Sequence, residues 1–477
     1  MYKLKINKYA ALLGICLVVA GCKIPAITQQ ADSRPMPESF NNSKDTSSIA
    51  NMGWRNFFTD KNLVTLIDTA LKNNQELAST LQEIQIAKNE IAFRTRDLSP
   101  TVGVRVGAGI EKVGRYTSQG AGDATTEVAP GREFPDPLPN YGASLYANWE
   151  VDIWNKLHNA KKAAVTRYLA SVEGKNFVLT NLIAEVANSY YELLALDNQL
   201  AIVKQNIKLQ ENALEIIKVQ KEAARVTELA VQKFRAEVLN SKSLEFEILQ
   251  QTKETENKLN LLLGRYPQEI IRDRNDFIAI IPSTVSAGIP SQLLANRPDI
   301  MQAELKLAAA KLDVKVARAE FYPSFGISAA LGFQAFKPAY LVKLPESMLY
   351  SLAGDLAGPL VNRKGIKAEF YNANLRQLQS MYNYQRIILN AYLEVSTQLS
   401  NIDNLQKRYA LKSQEVDALT KSIDISNDLF RSSRADYLEV LMTQRDALSS
   451  KLELIETKKK QLNAITTMYQ SLGGGWR

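Results

Sequence analysis

Few residues in this sequence combine a reactive type with a telling neighbourhood. Cys22 follows Val19, Ala20 and Gly21, and small residues ahead of a cysteine resemble a bacterial lipobox, in which the cysteine is lipidated and becomes residue one. Lys3, Lys5 and Lys8 precede an apolar run over 10–20, shorter than the roughly 20 residues a spanning helix needs, so 1–21 reads as an export signal. An ordinary signal with a chance cysteine is the alternative. Cys16 lies inside the signal, which leaves the mature chain one cysteine and no internal disulfide. A second group is ionic: Arg431, Arg434 and Asp436 crowd one helix end beside Tyr437 and Leu438. Helix-end capping and solvation is the plain reading of that group.

Other chemistry is excluded. His158 is the only histidine, so no histidine-based metal cluster or catalytic triad can be assembled. GVRVGAG at 103–109 lacks the glycine spacing of a dinucleotide loop, and no helix follows it. Acidic residues recur at helical spacing and read as solvated faces. The net charge of +8 arises from 58 basic and 50 acidic residues that are interspersed. No basic cluster interleaved with aromatics points to nucleic acid. The chain reads as a non-enzyme without cofactor or metal.

The elements that hold these residues come in two sets. Residues 73–109 recur without a gap at 296–332, each copy a helical pattern that meets a proline, Pro100 or Pro323, and leaves it as a strand. Proline disfavours α conformation in the residue before it, and a repeated change of period points to duplication. Asn155-Lys156 corresponds to Asn362-Arg363, and the stretch at 226–231 to that at 435–440. The expected organisation is a signal at 1–21, a polar tether at 22–52, a first repeat at 53–284, a second at 285–472 and a tail at 473–477.

Strands are expected near 101–112, 141–153, 324–334 and 347–357. In the second, Tyr141, Ala143, Leu145, Ala147, Trp149, Val151 and Ile153 face one way, and Ser144, Tyr146, Asn148, Glu150 and Asp152 the other. Each strand has about the 9–11 residues of a tilted membrane strand, although a half-buried soluble sheet alternates too. The connections at 112–140 and 335–346 read as loops. Four strands cannot close a barrel, since the smallest filled barrels have about eight. Either the sheet is soluble or several chains pool strands.

Helical hairpins are expected at 155–264 and 362–470. Leu193, Leu196, Leu200, Val203, Ile207, Leu214 and Ile217 keep a 3-4 spacing interrupted by Gln210. Val231, Phe234, Val238, Ile248, Leu259 and Leu262 continue it, with Ser241 and Glu245 among the interruptions, and Leu405, Tyr409, Val416, Leu419, Ile423 and Phe430 carry it in the second half. Such a repeat points to antiparallel coiled-coil packing, with a seam partly wet or shared among neighbours. A scaffold coiled coil would show the same.

AGIPSQLLANRPDIMQAE (287–304), ARAEFYPSFGIS (317–328), GWRNFFTDKNLVTLI (53–67) and SLGGGW (471–476) resemble the TolC-like outer-membrane factors, specifically the lipoprotein branch serving resistance-nodulation-division pumps. The resemblance implies an α+β fold, in which a homotrimer pools four strands per chain into a transmembrane barrel continued by a long helical coiled-coil tunnel. It implies a lipid-anchored outer-membrane channel that carries drugs or metal cations from an inner-membrane pump and a periplasmic adaptor. It also implies lipidation at Cys22, which Lys23 directs to the outer membrane, and a gate at Arg431, Arg434, Asp436, Tyr437 and Leu438. Adaptor contacts would fall at the turns, on Ala224, Arg225, Val226, Ser433, Arg434 and Ala435. Relatives usually place glycine where this chain has Ala224 and Ser433, and some carry an aspartate where it has Met442. A type I protein-secretion duct and a structural envelope lipoprotein are the competing functions.

Overall fold

The computed structural model describes residues 36–40, 46–273, 277–280, 286–358, 364–432 and 434–477. Cys22, Asn362, Arg363 and Ser433 lie outside the described residues. The helices are α1 (Trp54–Phe57), α2 (Lys61–Asn73), α3 (Gln75–Arg96), α4 (Ser118–Thr125), α5 (Lys156–Glu222), α6 (Glu228–Leu262), α7 (Gln292–Asn296), α8 (Pro298–Ala319), α9 (Lys364–Arg431) and α10 (Tyr437–Ser471). The strands are β1 (Thr101–Glu111), β2 (Glu127–Ala129), β3 (Arg132–Glu133), β4 (Leu138–Val151), β5 (Ser324–Ala335) and β6 (Met348–Ala357).

The duplication is explicit in these lengths. Helices α3 and α8 both have 22 residues, and each is followed by a proline and then at once by a strand, β1 or β5. The hairpins match as well, with 67 and 35 residues in α5 and α6 and 68 and 35 in α9 and α10.

Two compact units divide the described chain. The unit of Gln85–Leu169 and Leu305–Tyr382 holds a four-stranded sheet of order β1-β4-β5-β6, antiparallel throughout. Asp152 ends β4 and starts α5, because its carboxylate accepts from the backbone N–H of Leu157 at 3.0 Å and of His158 at 2.8 Å. That capping satisfies donors a helix start leaves open. It also turns the chain away, so Ile153, expected in the strand, lies beyond it. The 112–140 connection, expected as plain loop, contains α4 and the β2–β3 hairpin. Thr117 supplies the missing signal by capping α4, its hydroxyl accepting from Gly120 N–H at 3.1 Å.

The other unit, Asp32–Ile84, Ala170–Glu304 and Asn383–Arg477, is helical. Its main core gathers Phe58, Leu63 and Ile67, Val186, Tyr190 and Leu193 of α5, Leu259 of α6, and Leu462 and Tyr469 of α10. Asp60 caps α2 through Asn62 N–H at 2.7 Å and also accepts from the Tyr190 hydroxyl at 2.7 Å, which ties a local cap to the core. Buried guanidiniums brace the periphery. Arg272 meets Asp197 at 2.5 Å and Glu256 at 2.9 Å, and Arg297 meets Asp299, Glu394 and the Ser471 carbonyl. Charges so placed are tolerated only when paired. The terminal residues are pinned as well: Trp476 Nε1 donates to the Asn296 carbonyl at 3.0 Å. Gly473 makes that approach possible, since its φ is +86° and a Cβ there would sit 2.4 Å from the Asn296 oxygen.

Candidate functional site

The sheet register decides what its faces can do. Val104 pairs with Leu145, Leu145 with Leu331, and Leu331 with Tyr350; Val102, Ala147, Ala329 and Leu352 form the next such row. Side chains alternate along a strand, so these rows share one face. The rows between them, Gly103, Tyr146, Ala330, Ser351 and Arg105, Ser144, Gly332, Leu349, are small or polar except for Leu349. Among the described residues the apolar face has no cover: Val106 is 77 % and Leu352 79 % exposed. A continuous bare face of this kind is suited to another apolar phase or to a partner. Among the described residues no helix is long and apolar enough to cross a membrane.

Both helix turns close with a bond that spans five residues. At the end of α5, Arg225 N–H donates to the Gln220 carbonyl at 2.9 Å and Ala224 N–H to the Lys221 carbonyl at 2.8 Å. This is the paired closure normally completed by glycine, and here Ala224 carries it at φ +55°. The geometry glycine would give is therefore kept, at the cost of a left-handed alanine. Arg225 is exposed, whereas Val226 packs on the cluster of Leu214, Ile217, Val231 and Phe234. At the end of α9, Arg434 N–H reaches the Leu429 carbonyl at 2.8 Å.

The ionic group is dispersed within a single chain. Arg431 lies 3.9 Å from Asp428, both largely exposed, and among the described residues no ion pair joins Arg431 or Arg434 to Asp436. Asp436 is the N-cap residue of α10, yet its side chain makes no capping bond, so the capping explanation of this residue fails. Tyr437 packs on the Phe234 cluster, and Leu438 and Ala435 are half-buried. His158 sits at the start of α5 with Nδ1 2.6 Å from Asp152. Burial pushes the Asp152 carboxyl up, but hydrogen bonds from His158 and Leu157 outweigh it and hold the group below its ordinary range. No metal-holding cluster occurs among the described residues.

One feature of the seam exceeds what its sequence announces. Gln210 is fully buried and Ser241 1 % exposed, and neither the Gln210 amide nor the Ser241 hydroxyl has a partner among the described residues. Gln444 of α10 joins them with an unpartnered Oε1. The three stand between two apolar clusters, one with Ile207, Ile248 and Leu448 and one with Leu214, Phe234, Val238 and Leu441. Gln210 and Ser241 were visible as breaks in the 3-4 pattern. Gln444 was visible only as a polar residue between Leu441 and Leu448.

The family model described as outer membrane efflux protein matches residues 66–265 and 289–474. The chain is similar to the pyoverdine export outer membrane protein OpmQ of Pseudomonas aeruginosa, with 28 % identity over 474 residues, 98 % of this chain and 97 % of that one. It is similar also to the cation efflux system protein CusC of Escherichia coli, with 28 % identity over 477 residues, 98 % and 99 % of the two chains. Its fold resembles that of the Neisseria gonorrhoeae MtrE outer membrane channel in its open state, with a TM-score of 0.83 and 21 % identity over 95 % of this chain and 99 % of that one.

Proposed function

The chain belongs to the outer membrane efflux protein family, and from that premise we propose how its parts work as the outer-membrane duct of a tripartite pump. The channel stands in the outer membrane. Three copies pool their sheets into one barrel, and their long helices form the tunnel that meets a periplasmic adaptor and a resistance-nodulation-division pump. The observation that carries this reading is the register of β1, β4, β5 and β6, which gathers the apolar stripes on one bare face. Four strands cannot close around a lumen alone, and open edges are not tolerated in lipid, so pooling is the economical solution. The cargo is a small toxic compound or a metal cation, chosen by the pump upstream, and no protein cofactor takes part.

Cys22 supplies a lipid anchor at the head of a polar tether, each buried CH₂ adding about 0.8 kcal/mol to membrane affinity. Ala224, Arg225, Val226, Ser433, Arg434 and Ala435 mark the turns that face the adaptor. Arg431, Arg434 and Asp436 are the ionic part of the gate. All three are exposed, and Asp436 is free of a capping role. Leu438 forms the constriction, with Tyr437 anchoring the start of α10 to the hairpin core.

Substitution of Leu145 by Arg tests the barrel, since a charge near the bilayer midplane costs about 2–4 kcal/mol. Outer-membrane assembly should fail for Leu145→Arg and persist for Ser144→Arg; equal tolerance of both would overturn the lipid-facing assignment. The gate has its own readout. Arg431→Ala with Asp436→Ala should raise single-channel conductance in planar bilayers, and an unchanged conductance would leave the apolar constriction as the sole closure.

A further inference from the structure

The connection between β5 and β6 is short, braced and oddly furnished. Ser347 is buried, and its hydroxyl donates to the carbonyls of Leu341 at 2.9 Å and Lys343 at 2.6 Å. Gln334 N–H donates to the Ser347 carbonyl at 2.8 Å, and Ser347 N–H to the Lys343 carbonyl at 3.0 Å. On this frame the Tyr340 ring stands edge-on to Phe336 at 5.3 Å, and Phe336 meets Phe134 from the β3–β4 side at 5.9 Å. Two ammonium groups approach the same ring, Lys337 Nζ at 5.8 Å and Lys343 Nζ at 5.0 Å from its centre. Neither has an ion pair among the described residues, although Glu346 lies in the same loop and Glu133 in the β2–β3 hairpin. Beside them Val342 is 83 % and Leu344 62 % exposed. The loop begins and ends beside the last row of the bare apolar face, Phe333 with Met348.

We propose that the Lys337–Tyr340–Lys343 loop is a docking site for a lipid whose headgroup carries phosphate, the two ammoniums holding the phosphate while Val342 and Leu344 lie against the acyl chains. A compact ammonium is a strong point-charge partner for phosphate, and tyrosine and lysine are stable where one end of the side chain is apolar and the other wet. The loop joins two strands at the ends remote from their helix connections, so in a barrel it lies on the side away from the periplasmic helices. Continuity with the apolar face singles out a lipid-borne phosphate over a free one. The site rests on the membrane placement of the sheet given above.

The test uses the full-length protein purified in detergent, with bisphosphorylated lipid A and its enzymatically dephosphorylated form as probes in native mass spectrometry. The wild type should retain the phosphorylated lipid, and Lys337→Gln with Lys343→Gln should weaken retention about thirtyfold. Lys337→Arg with Lys343→Arg should keep most of it, and Lys367→Gln, on α9, should match the wild type. Retention indifferent to either the lysines or the phosphate would overturn the site, leaving apolar contact alone, and displacement by inorganic phosphate at equal concentration would make it a free-anion site instead. A wrong membrane placement shows elsewhere, in equal tolerance of Leu145→Arg and Ser144→Arg during outer-membrane assembly.

Discussion

Leu193, Val203 and Ile217 on α5 are at most 2 % exposed, whereas Tyr409, Val416, Leu419 and Ile423, on the same 3-4 grid of α9, are only half-buried. The two helices have nearly equal length and equivalent places in the repeat, so the difference is not one of pattern. It is one of cover. Along its distal half α5 lies against both α6 and α10, whose Phe234, Ile248 and Leu448 join its clusters. The contacts of α9 over this stretch run to α10, as in the Lys412–Glu453 pair at 2.8 Å and the Gln461 amide on the Leu405 carbonyl at 3.2 Å. A repeat can thus be faithful in secondary structure and unequal in burial. In the proposed trimer the uncovered side of α9 is where neighbouring copies would pack, and it leads directly to Arg431 and the gate.

Two leucines, one on the grid of each long helix, give the largest test of that contrast. Leu193→Ala should cost about 3–5 kcal/mol, the range for a fully buried site that cannot collapse, and Leu419→Ala about half as much. Thermal unfolding followed by circular dichroism in detergent measures both. Equal losses would erase the distinction, and a Leu419→Ala loss that deepens on dilution would place its missing cover on a second copy.

The polar layer sharpens the comparison from the buried side. Gln210 has lost water on both amide atoms without gaining a partner among the described residues, so Gln210→Leu should raise stability by about 1–3 kcal/mol. A fall in the unfolding temperature would mean that ordered water already satisfies the amide and that the layer is hydrated.

The smallest effect belongs to the first turn. A left-handed alanine costs about 1–2 kcal/mol, and glycine forfeits about 0.5–1 kcal/mol of that relief through chain entropy. Ala224→Gly should therefore gain about 0.5–1 kcal/mol while leaving the Arg225 to Gln220 bond in place. Loss of stability would show that φ +55° is not strained here, and amide hydrogen exchange at Arg225 reports whether the turn itself survives.

Much of the architecture was legible in the residues. Pro100 and Pro323 mark helix-to-strand changes because proline's ring constrains the residue before it, whatever the rest of the fold does. The stripe from Tyr141 to Val151 announces one apolar face because strand side chains alternate. Strand ends were less legible: Ile153 keeps the alternation, yet Asp152 spends its carboxylate on the start of α5 and ends the strand first. The short α4 helix was missed because Thr117 and its glycine-rich continuation look like loop until the cap is seen. At the proposed gate, Tyr437 reads beside Leu438 as one group, although it packs on the Phe234 cluster.

By itself the sequence determined the periods, the breaks between them and the duplication. These are properties of neighbouring residues, set by backbone sterics and side-chain order. Only the tertiary structure decided which stripe is covered, because burial depends on elements distant in the chain. Among the described residues it left the sheet's apolar face bare and Gln210 buried without a partner, put Ala224 in a glycine's conformation, and drew Lys337 and Lys343 close to one tyrosine.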